Sequence, residues 1–457
     1  MLALAVLQAC ATRQPSIPVA EPDALPPAAA ATPVSRALDA ASLPPFDGQR
    51  ETLVEPLRGI KRIDRTSPAE DIWQRIRHGF AMPDLDNALV RRKTAEYARQ
   101  PDYLQRVFER SRFYLYHIVE ELEKRGLPTE LALLPMVESA FNPMAYSRAH
   151  ASGLWQFVPV TGRRFELKQN WWYDGRRDVV DSTNAALDYL TYLYARHGDW
   201  HLALASYNWG ENAVARAIAK NRKARKPTDY SSLRIPRETR EYVPKLQALK
   251  NIIASPQLYG IGLDPIPNQP YFALVDEPPD IDVALAAKLA DMPVEEFIAL
   301  NPGFSRPFIR SQIATRIVLP ADKVEVFHGN LAKHDRDSLV SWQVYRPKHG
   351  EPLGAIAEKF GVPVIELKRV NGIAKHSSRV PQLLAVPMGG SARKSIDALP
   401  SRYAPPVAPQ SVRPVHIVKR GDTLSAIAAR YRVRVAELER WNRIGEVLQI
   451  GQKIHIR

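Results

Sequence analysis

The sequence predicts a multidomain α+β protein: one all-α domain of roughly 190 residues, then small βααβ modules. Three observations carry this. Apolar residues recur at three- and four-residue spacings through residues 67–260, and no alternating strand pattern precedes about residue 270. A 24-residue segment recurs without gaps at Gly350–Ile373 and Gly421–Ile444, identical at twelve positions. The 39 prolines, about 8.5% of 457 residues against a usual ~5%, gather at the joints between these parts.

Composition narrows the function classes. A hydrophobic content of 45% excludes wholesale disorder. No run approaches the ~18 apolar residues of a membrane-spanning helix, so a polytopic membrane protein is excluded. A single cysteine, Cys10, excludes an internal disulfide framework and a multi-cysteine metal cluster. Lys plus Arg number 63 and Asp plus Glu 49, a net charge of +14, which leaves polyanionic partners open.

Taken in order, the chain begins with the apolar run Met1–Leu7, followed by Gln8-Ala9-Cys10. This resembles the lipobox of bacterial lipoproteins, which implies a signal segment over 1–10 and a lipid on Cys10. Residues 11–66 start rich in Pro and Ala and suit an extended tether. Ser67-Pro-Ala-Glu70 has a cap serine, a proline at N1 and a capping-box glutamate. It opens a helical domain over 67–262. Leu104, Val107, Phe108, Leu115, Ile118, Val119 and Leu122 predict one long amphipathic helix from Asp102 to Lys124, ended by Gly126. Pro128 starts another short helix through Leu131, Leu134 and Val137, and further helices are predicted at 182–196, 200–206, 210–220 and 238–254.

Prolines at 256, 265, 267, 270, 278 and 279 mark the next joint. The repeat then predicts modules over 341–388 and 414–457, separated by a linker at 389–413. A divergent copy over 270–325 is visible in Met292-Pro-Val-Glu-Glu-Phe297 and Leu300-Asn301, and is either a third module or a spacer. In the last copy, Val418-x-x-Gly421-Asp422-Thr423-Leu424-x-x-Ile427-Ala428, Leu438-x-x-x-Asn442 and Gly451-Gln452-x-Ile454 resemble the LysM domain. The resemblance implies binding of N-acetylglucosamine-containing glycans in a groove between the first strand–helix loop and the second helix–strand loop. Here that means Gly421, Asp422 and Thr423, and the loop around Arg443–Gln449. The middle copy has Glu351-Pro352 for Asp-Thr and lacks the closing Gly-Gln, which keeps the fold and puts its glycan binding in doubt.

Glu138 ends the apolar stretch Leu133–Val137 before the Asn142-Pro143 break. A carboxyl there is either a solvated helix end or, desolvated, an acid with a raised pKa able to deliver a proton near neutrality. The surroundings bear on the choice. Glu138-Ser139-x-Phe141-x-Pro143-x-Ala145-x-Ser147 is followed by Ala151-x-Gly153-Leu-Trp-Gln156-Phe-x-Pro159-x-Thr161-Gly162, Ala205-Ser-Tyr207-Asn208-x-Gly210 and Glu238-Thr-x-x-Tyr242-Val-Pro. These motifs, in this order, resemble the lytic transglycosylases of glycoside hydrolase family 23. The chain departs from the family at His150, where glycine is usual, at Ser206 for alanine, and at Trp155 for methionine. The last change is expected to alter a sugar-subsite wall and leave the acid untouched.

The resemblance implies a lysozyme-like fold and a reaction run by one carboxylate. Ordinary glycosidases need two, about 5 Å or about 6.5–9.5 Å apart. Here Glu138 is the only acid between Glu130 and Glu166, while Asp174, Asp178 and Asp181 lie in an Arg-rich segment that suits ion pairing. In the family, one glutamate protonates the glycosidic oxygen after N-acetylmuramic acid, then takes the C6 hydroxyl proton as that oxygen attacks C1. The product is a 1,6-anhydro sugar and no water is consumed. Ser147, Gln156, Tyr207, Asn208 and Tyr242 would surround substrate, Asn and Gln amides suiting sugar hydroxyls and acetamide because they both donate and accept. A hydrolytic muramidase and a non-catalytic peptidoglycan-binding scaffold are the competing readings. The expected partners are peptidoglycan strands and a membrane through the lipid, at the outer membrane facing the periplasm. No cofactor, metal or nucleic acid is expected. His197 and His201 lack the glutamate of a zinc motif, Gly260-x-Gly262 is a loop, and Arg222–Lys226 has no nucleic-acid signature around it.

Overall fold

The structure is a computed structural model that describes residues 71–313, 316–389, 397, 399, 415–418, 421–431, 433–442, 448–449 and 451–455. Cys10, the 1–10 segment, the tether to 66 and the Ser67–Glu70 cap lie outside the described residues, as do positions 443–447. The first described helix, α1 (Ile72–His78), is capped by Asp71, whose carboxylate accepts from Gln74 N at 2.8 Å. Its start is held to the far end of the domain by Ile72 N donating to Ile266 O.

α2 (Ala88–Ala98) follows, capped by Asn87. The long helix expected over 102–124 is two helices, α3 (Pro101–Ser111) and α4 (Leu115–Lys124). Ser111 Oγ donates to Phe108 O at 2.7 Å and Tyr114 N to Ser111 O, so a turn competes with the helical ladder. The buried positions 111 and 115 are four residues apart, which keeps the apolar phase across the break and hides it from the periodicity. The break frees Tyr114 to stack on Phe141 and to donate to Ala299 O at 2.9 Å.

A 3-10 turn (Thr129–Leu133) leads into α5 (Leu134–Ser139). Then come α6 (Pro159–Arg164), α7 (Val179–His197), α8 (Trp200–Trp209), α9 (Glu211–Lys223) and α10 (Arg237–Ala254). α10 packs on α2, α8 and α5, and α7 on α8. One core runs through these helices, from Trp73 through Leu134, Trp155 and Leu204 to Ile252. No helix among the described residues is long and apolar enough to cross a membrane.

Three small units follow, each with its own core. In the first, β1 (Phe272–Asp276) pairs antiparallel with β4 (Arg316–Pro320). Between them lie β2 (Ile281–Asp282), α11 (Val283–Leu289), α12 (Val294–Leu300) and β3 (Phe308–Ile309). The second has β5 (Trp342–Tyr345), α14 (Leu353–Lys359), α15 (Val364–Val370) and β6 (Leu384–Pro387), after α13 (Val324–Leu331) closes the first. The last has β7 (Val415–Ile417), helices Leu424–Tyr431 and Val435–Asn442, and β8 (Lys453–His455), with β7 paired to β8.

One asparagine ties each unit together in the same way. Asn301, Asn371 and Asn442 each donate to the carbonyl four residues earlier, and each pairs both amide ends with the closing strand, at Val318, Ala385 and His455. The divergent segment is therefore built as the repeats are. Asn371→Ala leaves the buried Ala385 N–H and C=O unpaired, a cost of about 1–3 kcal/mol. Hydrogen exchange on the full chain checks this: β5 and β6 amides should exchange faster while α7–α10 do not change.

Candidate active site

Glu138 stands half-buried in the last turn of α5, at the edge of the domain core. Leu133, Leu134 and Met136 bury the other faces. The helix stops because Ala140 and Phe141 adopt positive φ, 51° and 55°. Two consecutive non-glycine residues in that region cost energy and persist only where surroundings enforce them. The enforcing contacts are the buried Phe141 ring, Arg110 Nε donating to Ala140 O at 2.8 Å, and Ser139 Oγ donating to Leu154 O at 2.9 Å.

Tyr242, on α10, donates its hydroxyl to Glu138 Oε1. Burial pushes the Glu138 carboxyl up to about 7, against the Tyr242 hydrogen bond and the Lys245 charge; the Glu238 charge adds to the rise. Burial and the Glu138 charge hold the Tyr207 phenol well above its ordinary value, and its hydroxyl donates to Trp155 O at 2.8 Å. Asn208 accepts from Thr239 Oγ1 at 2.8 Å, and its amide offsets part of the burial-driven rise in the Glu238 pKa. Glu138, Tyr207, Asn208 and Tyr242 are thus brought together from α5, α8 and α10.

Glu238 belongs to this group although only its motif was visible in the sequence. It lies one helical turn before Tyr242, on the same face of α10, and the four-residue spacing was the available signal. Its Oε1 is buried without a protein partner among the described residues, and burial raises its pKa.

Ser147 and Gln156 lie in the loop 144–157, and their polar groups brace its backbone. Ser147 Oγ accepts from Ala151 N at 3.1 Å, and Gln156 Nε2 donates to Gly153 O at 2.8 Å. Isolated bridges pair Ser152 with Tyr146 and Phe157. Arg176, fully buried, clamps the loop from behind by donating to His150 O (2.6 Å) and Phe157 O (3.1 Å), while Asp174 accepts its other donors at 2.9 and 2.7 Å. A Cβ on Gly153, at φ +84°, would sit 2.1 Å from Arg176 O, so only glycine fits. His150 stands at φ 62°, which accounts for the glycine usual at this position.

Two expectations resolve differently. Trp155 is no subsite wall: it is fully buried, and its indole donates to Thr183 Oγ1 at 3.0 Å. Asp174, Asp178 and Asp181 do act in ion pairs and caps, Asp174 with Arg176, Asp178 and Asp181 with Arg316, and Asp178 also accepting from Val180 N and Asp181 N at the start of α7. Among the described residues no cluster of His, Cys, Asp and Glu could hold a metal ion. His197 meets Ser206 Oγ at 2.9 Å and His201 meets Pro83 O at 3.1 Å.

In the last unit, Gly421 takes φ +91° and Thr423 Oγ1 accepts from Ala426 N at 3.1 Å. Asp422 Oδ2 lies 2.7 Å from Nε2 of the buried His416.

Family models match four stretches of the chain. The model of the transglycosylase SLT domain matches residues 116–229. The LysM-like domain of lytic transglycosylase MltD matches 271–336, and the LysM domain matches 348–380 and 416–457. The divergent copy is thus a module and not a spacer. Membrane-bound lytic murein transglycosylase D of Escherichia coli (strain K12) is 33% identical over 399 residues, 85% of this chain and 86% of that protein. Membrane-bound lytic murein transglycosylase C of Haemophilus influenzae (strain PittEE) is 31% identical over 164 residues, 32% of this chain and 46% of that protein. An autolysin of Enterococcus faecalis is 37% identical over 115 residues, 25% of this chain and 15% of its own length. With a transglycosylase domain, its LysM-like module and LysM repeats in one order over most of the length, the chain belongs to the family of membrane-bound lytic murein transglycosylase D.

Proposed function

We propose that Glu138 is the single acid–base group with which this lytic transglycosylase cleaves the MurNAc-β-1,4-GlcNAc bond of peptidoglycan. The observation that carries the reading is a half-buried carboxyl, raised to about 7, that accepts from the Tyr242 hydroxyl. Protonated, it gives its proton to the glycosidic oxygen. Ionised by that step, it accepts the C6 hydroxyl proton as the oxygen closes on C1, forming the 1,6-anhydro end. Attack within one ring gains from an effective molarity of up to roughly 10⁵–10⁸ M, so no activated water is required. Tyr242 donates to the carboxylate between the two steps. Glu238 favours the protonated form at the start. Tyr207 and Asn208 line the site, and the loop bearing Ser147 and Gln156 forms its other side.

Domain division follows the same reading: a transglycosylase domain over 67–262, modules over 270–325, 341–388 and 414–457, and a linker at 389–413. Gly421, Asp422 and Thr423 form the glycan-binding loop of the last module. Cys10 carries the lipid that holds the protein at the outer membrane, facing the periplasm. Inhibiting lipoprotein signal peptidase should leave unprocessed precursor; unchanged mobility without lipid label rejects the anchor.

The reaction is tested by digesting purified sacculi and weighing the muropeptides. Anhydro products are expected; reducing products one water heavier, with no anhydro species, would establish the hydrolytic muramidase instead. Tyr242→Phe is expected to lower kcat about tenfold or more, since a hydrogen bond to a charged group contributes about 1.5–3 kcal/mol. Without that donor Glu138 holds its proton more tightly, so the alkaline limb of the pH–rate profile moves upward. An unmoved limb refutes the assignment of Tyr242.

A further inference from the structure

The three modules expose their second helix–strand loops differently. In the middle module the stretch 374–379 is mostly exposed, and in the last one Gln449 and Gly451 are exposed. In the first module every residue from 301 to 309 is buried. The module's own core takes Phe304 and Ile309 and the second module's core takes Phe308, while the transglycosylase domain closes over the stretch from Gly303 to Phe308. Ser305 N donates to Trp172 O at 2.8 Å, and Asp174 N donates to Gly303 O at 2.9 Å, a short antiparallel pairing across the domain boundary. Arg177 Nη2 donates to Ser305 Oγ at 2.6 Å. Phe308 meets Trp172 edge-on at 5.3 Å, and the Arg306 guanidinium lies 4.1 Å over the Trp171 ring. At Gly303 a Cβ would come within 2.6 Å of the Tyr173 ring, so the approach is as close as backbone allows.

The covered segment 171–177 is the one that clamps the loop 144–157. Asp174 takes the Gly303 carbonyl on its backbone and Arg176 on its side chain, and Arg176 holds the carbonyls of His150 and Phe157. From there Ser139 Oγ to Leu154 O reaches the residue next to Glu138. A module that merely tethered the enzyme would not need backbone and side-chain polar groups matched across the boundary at Gly303 and Ser305.

We propose that the first LysM-like module is a positioning element of the catalytic domain. Its loop 302–309, the counterpart of the glycan-facing loop in the last module, is consumed by docking on Trp171–Arg177, takes no glycan, and sets the loop 144–157 beside Glu138. Glycan attachment is left to the other modules. The inference rests on the Glu138 reading of the site.

The test uses the full chain. Gly303→Val drives a side chain into Tyr173, and Ser305→Ala removes only the hydroxyl that meets Arg177, so it preserves the fold if the first variant does not. Turnover is measured on peptide-free soluble glycan strands, where wall attachment does not matter. Sacculus binding is measured by sedimentation in the Glu138→Gln background, which keeps the sacculi intact. Gly303→Val should lower kcat tenfold or more and speed hydrogen exchange through 144–157, with sacculus binding within twofold of the parent. Ser305→Ala should lower kcat about two- to tenfold, the equivalent of one lost hydrogen bond, with KM unchanged and Tm lower by only a few degrees. Unchanged kcat in Ser305→Ala, or in a Gly303→Val protein whose 171–177 amides exchange faster, overturns the positioning role. A loss of sacculus binding with kcat preserved makes the loop a glycan site and overturns it as well. Full activity in Glu138→Gln would instead condemn the site assignment, whatever the interface variants do.

Discussion

Glu138→Gln is expected to abolish lysis and to make the fold more stable above pH 7. The activity loss follows from removing the only group proposed to move a proton in either half of the reaction, worth at least on the order of 10²–10⁴-fold. The stability gain has the opposite origin. Burial raises the folded-state pKa from 4.5 to about 7. Between those values the folded protein holds a proton that the unfolded chain has released, so stability falls as pH rises through this window. Above it the whole cost is present, about 3–4 kcal/mol at most, and less because Glu138 is only half-buried. Glutamine fills the same space without the charge and still accepts from Tyr242. Thermal unfolding should therefore show a higher Tm than the parent at pH 8 and the same Tm at pH 4. Equal Tm values at both pH values would show that the carboxylate is not desolvated.

Arg176→Leu is expected to cost about 3 kcal/mol or more of stability. The guanidinium is fully buried, and its loss strands Asp174 as a carboxylate at about 10% exposure. Removing one partner of a buried pair typically costs about 3–5 kcal/mol, and Arg177, 3.9 Å from Asp174, places the effect at the lower end. The His150 and Phe157 carbonyls lose their donor in the same step, so kcat should fall even at temperatures where the variant is folded. Adding Asp174→Asn should recover part of the stability, because the stranded charge goes, but little of the activity, because the carbonyls stay unclamped. A urea unfolding free energy within about 1 kcal/mol of the parent's, the size of one ordinary hydrogen bond, would mean that the clamp is not what holds the loop.

The parts of the site carried by short spacings were legible in the sequence. Glu138 at the end of an apolar helix, and the tyrosine and asparagine motifs on α8 and α10, needed only local pattern and a resemblance. The asparagine of Leu-x-x-x-Asn was visible too, although its pairing with the closing strand was not. What stayed hidden depends on partners far away in the chain. Trp155 reads as a cleft residue until Thr183, on α7, is seen to hold its indole in the core. Glu238 sits in a quoted motif, yet its place beside Glu138 depends on how α10 crosses α5. The break at 112–114 left no mark because four residues separate the buried positions on either side. The docking of the first module is invisible for the same reason: nothing in 301–309 announces that Trp172 and Tyr173, some 130 residues earlier, will cover it.

Glu138 is expected to keep its proton to near neutrality in the resting enzyme. The most direct test is a carboxyl-carbon NMR titration of the full chain with ¹³C-labelled glutamate, the Glu138 signal being assigned by its absence from Glu138→Gln. A midpoint of about 7 is predicted. A midpoint near the ordinary glutamate value of about 4.3 would contradict it, since a carboxyl ionised there has almost no proton to give at the pH of the reaction.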